Sequence, residues 1–213
     1  MKKKYIQNSK ILVTGGAGFI GSHLCEALLK LNNTVVCLDN FSTGTMDNIK
    51  SLISNPNFNL IGGDIRNEAT CKKACKGVDF VFHQAVLTAI PLAIENPIRA
   101  NNVNVSGFVN MLVAAKDANV KQFVYRTCAL NDTNTKALDT PEAINEKSLT
   151  PNDIKSYTDQ LYANLFRNSY GLNIKGLSYK PIYDKNKTTA ISDIIQLNMD
   201  ALEGVMDKAY NLV

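Results

Sequence analysis

Histidine is nearly absent from this 213-residue chain, which has two, His23 and His83, neither within a helical turn of Cys71 or Cys75. Cys71 and Cys75 stand one helical turn apart, but without neighbouring histidines their spacing favours packing over a metal site. The five cysteines are an odd number with no paired ligand spacing. That fits reduced thiols in a cytoplasm. Long hydrophobic runs are also missing, none approaching the ~20 apolar residues that a membrane span requires. The opening MKKKYIQNSKILV starts like a basic leader, yet its apolar run is broken at once by glycines and lacks a small-residue cleavage site, so no signal peptide is expected. The basic residues are scattered and the net charge is only +4. No stripe suits nucleic acid.

What remains is enough for one folded unit: 45% hydrophobic and 20% charged residues predict a single domain over 1–213. Its most specific feature runs from Lys10 to Leu24, reading KILVTGGAGFIGSHL. Ile11 to Val13 read as a buried parallel strand, and Gly15, Gly18 and Gly21 at G-x-x-G-x-x-G spacing allow a tight turn, backbone approach to a pyrophosphate and close helix packing. The helix expected from Phe19 to Leu31 would aim its unpaired N–H groups at the phosphates. A second strand, Thr34 to Leu38, ends in Asp39, about 20 residues past Gly21, where a carboxylate can bind the two hydroxyls of an adenosine ribose. Asp39 would also repel a 2′-phosphate, and Asn40, Phe41 and Ser42 offer no arginine to receive one, so NAD is favoured over NADP.

Strands are expected near 11–14, 34–38, 58–62, 78–83, 121–126 and 173–178. Helices are expected near 19–31, 46–53, 67–76, 99–118 and 152–170. The last two carry apolar residues at three- and four-residue spacing: Val105, Phe108, Val109 and Leu112, then Ile154, Tyr157, Leu161 and Leu165. This alternation predicts an α/β fold with a doubly wound parallel sheet of Rossmann type. The polar stretch from Asn131 to Pro151 is long for a loop, hence either mobile or functional.

TGGAGFIGSHL followed by VVCLDNFSTG resembles the extended short-chain dehydrogenase/reductase family, in particular its NAD-dependent epimerases and dehydratases of nucleotide sugars. The wording HQA with PLAIENP is most similar to the UDP-N-acetylglucosamine and UDP-glucose 4-epimerases. The resemblance implies cofactor contacts at Gly15, Gly18, Phe19, Ile20, Gly21, Asp39 and Asn40. It adds Asp64 and Ile65 in GGDIRN at the adenine edge, and Gln84 and Ala85 after the strand VDFVFH. It also implies a homodimer, built through the helices at 99–118 and 152–170, with Phe108, Met111, Tyr162 and Phe166 as candidates for the interface or, equally, for the core.

The departures from that family concern its chemistry. The family pairs a tyrosine with a lysine four residues on, so that the ammonium depresses the phenol pKa and holds the nicotinamide ribose, while a serine or threonine at a strand end fixes the sugar oxygen. Aligned on LTPNDIKSYTDQLY, Asn152 stands at the tyrosine and Ser156 at the lysine. Ala129 or Leu130 occupies the hydroxyl position, with Thr127 the nearest surviving hydroxyl. No shift along 152–170 restores the pair, and the one Tyr-x-x-x-Lys match, Tyr183 to Lys187, lies in a polar stretch. Ala89 and Leu92 replace a serine and an arginine of the family, Lys180 and Pro181 replace a Phe-Asn, and residues 179–213 read as the remnant of a shortened substrate lobe. Three functions follow: an NAD-binding protein of epimerase ancestry with impaired catalysis; a working epimerase or dehydratase whose acid–base groups are displaced to Lys155, Asp153 or Tyr179; or a non-catalytic partner subunit. A UDP-sugar is the second ligand implied.

Overall fold

The structure is a computed structural model and describes residues 5–127, 150–179, 188–202 and 211–212. Strands β1 (Lys10–Thr14), β2 (Thr34–Asp39), β3 (Phe58–Gly62), β4 (Phe80–His83), β5 (Gln122–Thr127), β6 (Ile174–Tyr179) and β7 (Asn211–Leu212) form one sheet in the order β3-β2-β1-β4-β5-β6-β7. Every pairing is parallel, with Leu12 against Val36 on one side and Val81 on the other. Runs such as Ile11–Val13 and Phe123–Tyr125 are apolar at consecutive positions because helices cover both faces of such a sheet.

On one face lie α1 (Phe19–Lys30) and α7 (Thr188–Leu202), packing Leu24, Leu28, Ile194 and Leu197 against Ile11, Val13 and Phe82. On the other lie α2 (Glu68–Cys75), α5 (Gly107–Asp117) and α6 (Pro151–Tyr170), closing over Leu12, Val81 and Phe123. Cys71 and Cys75 belong to this second core, and burial pushes both thiols up to about 12, so packing is what they do. The sheet order reverses between β1 and β4, and the crevice beyond their carboxyl ends is where such sheets take ligands.

Two expected helices differ. The segment 46–53 forms a single 3₁₀ turn, Met46–Asn48, followed by turns, because its bonds close three residues back (Ile49 to Met46, Leu52 to Ile49) and bury only Ile49 and Leu52. The helix expected at 99–118 starts at Pro97 as α4 (Pro97–Asn101), passes through a π turn at Asn102–Ser106 and continues as α5. A short helix, α3 (Ile90–Glu95), precedes it with Pro91 in its first turn; six residues are too few to show a period. Leu130, Ala129, most of the 131–151 stretch and the Tyr183–Lys187 pair lie outside the described residues.

Candidate cofactor site

The turn after β1 builds the floor of the site. Gly15 has φ of +66°, and a side chain there would meet the Ala85 backbone at 2.8 Å, so the turn and the β4 loop are packed backbone to backbone. A Cβ on Gly21 would lie 2.2 Å from the Gly15 carbonyl oxygen. Gly18 differs, since the nearest atom to a Cβ would be that same oxygen at 3.1 Å and the remaining space is open. The first and third glycines thus pack the protein against itself, and the middle one leaves room for a ligand. Gly18 caps α1 without any side-chain bond, and the first turn carries no acid, so backbone N–H groups face the cleft.

Asp39 closes the ribose end. It is buried, with Oδ2 accepting the Ala17 N–H at 2.9 Å and Oδ1 accepting that of Phe41 at 2.8 Å. These bonds fix the carboxylate and leave lone pairs for hydroxyl donors. Asp64 is tied to the same corner: it accepts Asn40 Nδ2 at 2.8 Å and both Nε (3.0 Å) and Nη2 (2.7 Å) of Arg66. Those bonds to Arg66 hold its carboxyl far below the usual carboxylate range.

Beyond β4 the loop is held by Thr14 and Asn104. Thr14 Oγ1 accepts the Ala85 N–H at 3.2 Å and lies 2.9 Å from His83 Nδ1. The hydroxyl and the imidazole share one hydrogen bond whose direction is set by the histidine tautomer. Burial first, and then the Lys155 charge, hold His83 down at about 3. Asn104, inside the π turn, receives the Leu87 N–H at 2.8 Å and donates to its carbonyl at 2.9 Å. Bulges of this kind recur beside ligand sites, and here the turn carries the side chain that pins the loop at Leu87.

All eleven residues expected from the sequence at the cofactor, Gly15, Gly18, Phe19, Ile20, Gly21, Asp39, Asn40, Asp64, Ile65, Gln84 and Ala85, line one cavity of about 390 Å³. Sequence reasoning missed Arg66, Thr88, Arg99 and Arg126 on its wall. Arg66 stood in plain view inside GGDIRN, but a cation's direction across a cleft has no one-dimensional signal.

The groups at the family's acid–base positions do not enter the cavity lining. Asn152 Nδ2 donates to Thr88 O at 3.4 Å, and Ser156 is buried. Lys155 is buried too, donating to Arg126 O at 3.0 Å and pairing with Asp159. Burial raises Asp159 to about 6 against the opposing charge of Lys155, and Asp159 Oδ1 has no partner among the described residues. Asp153 forms a capping box with Thr150. Of the displaced acid–base candidates, Lys155 and Asp153 are therefore engaged in holding α6.

Of the two places left open for the interface candidates, the structure puts all four in or against the core. Phe108, Met111 and Phe166 are core residues and Tyr162 packs against them, while α6 exposes Tyr170 at its end and, along its length, Ile154, Leu161 and Leu165. Those three also belong to the spacing that marked the helix, so the stripe visible in the sequence faces outward.

A family model described as the NAD dependent epimerase/dehydratase family matches residues 11–202. A putative UDP-glucose 4-epimerase of Methanocaldococcus jannaschii is 32% identical over 181 residues, covering 83% of this chain and 57% of that protein. UDP-glucuronic acid decarboxylase 6 of Arabidopsis thaliana is 40% identical over 115 residues, 54% of this chain and 32% of its own length. The chain thus spans well under two thirds of these relatives. Among solved structures, the UDP-N-acetylglucosamine 4-epimerase from Methanobrevibacter ruminantium M1, in complex with UDP-N-acetylmuramic acid, superposes with a TM-score of 0.79 at 25% identity, covering 98% of this chain and 77% of that one. The UDP-glucose 4-epimerase of Thermus thermophilus, in complex with NAD, gives 0.65 at 26% identity over 87% of this chain and 60% of that one.

Proposed function

The chain belongs to the NAD-dependent epimerase/dehydratase family, and from that premise we propose that it binds NAD in the β1–β4 cleft while turning over nucleotide sugars poorly or not at all. The observation that carries the first half is the single cavity uniting the open face of Gly18, the α1 N-terminus and the fixed carboxylate of Asp39. Asp39 and Asn40 would hold the adenosine ribose, Asp64 and Ile65 the adenine edge, and Gly15 to Gly21 the pyrophosphate. The nicotinamide would lie toward Gln84, Ala85 and the end of β5, where NAD, when bound, supplies a reversible hydride acceptor. A 2′-phosphate would meet the Asp39 charge, which favours NAD over NADP.

The second half rests on Asn152 and Ser156. Asn is neutral and takes no proton from a sugar hydroxyl near pH 7, and Ser156 is buried and too short to tune a neighbour. General acid–base transfer is worth ~10²–10⁴ in rate. The bonds that occupy Lys155 and Asp153 count against displaced catalysis by either. With NAD saturating, incubation with UDP-glucose, UDP-galactose or their N-acetyl forms should give no C4 inversion above a Gly18→Val control; inversion above that control overturns the reading.

A homodimer is part of the same proposal. It would pair through the outward stripe of Ile154, Leu161 and Leu165 on α6, making the chain a cofactor-holding subunit whose partner surface is a second copy.

A further inference from the structure

We propose that Arg99 grips the pyrophosphate of the bound dinucleotide from the α4 wall of the cleft. The inference rests on the NAD reading above. Arg99 and Val103 stand one turn apart where α4 runs into the π turn, and both line the cavity that Gly15, Gly18 and Phe19 line. The glycine turn supplies only backbone N–H groups and the start of α1, with no capping side chain. A helix N-terminus offers roughly half a positive charge, whereas a pyrophosphate brings two negative ones. A side-chain cation within the same cavity meets that imbalance.

Three guanidiniums line the cavity, and their surroundings separate them. Arg66 is committed to Asp64 through two side-chain bonds. Arg126 lies at the end of β5, where its carbonyl anchors Lys155, toward the nicotinamide end of the cleft. Arg99 has no ion pair or hydrogen bond through its guanidinium among the described residues, while its backbone is fixed. Its N–H donates to Asn96 Oδ1 at 2.9 Å in the cap of α4, behind Pro97. A rigid root carrying an uncommitted planar fork suits bidentate contact with phosphate oxygens, a geometry that a lysine would meet only as a point charge.

The test is calorimetric titration of the wild-type protein, Arg99→Gln and Arg99→Lys with NAD, ADP-ribose, adenosine and UDP. Loss of charge-assisted bonds to the diphosphate should weaken NAD and ADP-ribose by roughly tenfold or more in Arg99→Gln, with partial recovery in Arg99→Lys and no change for adenosine. Undiminished NAD binding by Arg99→Gln overturns the inference alone. An equal loss for adenosine overturns it as well, since Arg99 would then only support the cleft wall, and so does a loss confined to UDP, which would assign Arg99 to a nucleotide sugar. Failure of the wild type to bind NAD overturns the cofactor reading itself and this inference with it.

Discussion

Gly18 and Gly21 look alike in the motif and differ in space. Gly18→Val places its side chain in the cleft with only the Gly15 oxygen at 3.1 Å to adjust, whereas Gly21→Val drives a Cβ to 2.2 Å from that oxygen. Gly18→Val should therefore lose NAD while keeping its unfolding free energy within about 1 kcal/mol, and Gly21→Val should lose about 2 kcal/mol or more through overpacking. Urea unfolding of both variants, with NAD titration of the first, checks the division. His83 gives a second prediction at this scale. It faces Thr14, Phe108, Phe123 and Lys155, and its pKa falls from 6.5 to about 3 in the fold, so the unfolded chain binds the extra proton and stability on this group drops as pH falls below 6.5. Asp159 runs the other way. Its pKa rises from 3.8 to about 6, so the native state holds the extra proton between those values and stability on that group rises as pH falls. Each contributes about 1.4 kcal/mol per pH unit where it acts alone, and between pH 4 and 6 they oppose each other. His83→Gln should expose the Asp159 contribution, so that the variant gains stability relative to wild type on going from pH 6 to 4.5 in urea titrations; a parallel pH dependence in the two proteins would contradict it.

At the scale of elements, α6 teaches the most. Its existence was legible from Ile154, Tyr157, Leu161 and Leu165, whereas Pro151, expected as the end of the preceding loop, is its first residue, behind a Thr150–Asp153 capping box. Its orientation was not. Periodicity marks a stripe without saying which way it faces, and here the inward side carries Lys155, Ser156 and Asp159 beside Ala163 and Phe166. An ion pair closed within one helical turn, its lysine also donating to the Arg126 carbonyl, lets charged positions go inside, which binary patterning does not anticipate. The apolar stripe left outside, with Leu161 53% exposed, predicts self-association. Light scattering should report a dimer at high micromolar concentration, and Leu161→Glu should shift it to monomer; a wild-type monomer under those conditions would contradict the pairing.

For the whole molecule, the sheet and the cofactor cleft were legible because their signals are local and ordered: apolar run, glycines, helix, second strand, acid. Parallel crossovers then leave little freedom in where the crevice falls. The breaks at the π turn and at 46–53 were not legible, since an extra residue in a turn or a three-residue hydrogen-bond step leaves the apolar spacing nearly unchanged. The cations of the cleft wall were hidden for a related reason, as Arg66, Arg99 and Arg126 come together only through the sheet order. The central claim is that this cleft holds NAD, and calorimetric titration of the intact chain tests it most directly. One site with affinity in the micromolar range, tighter for NAD than for NADP, is the result expected, while no heat and no thermal shift at millimolar NAD would contradict it.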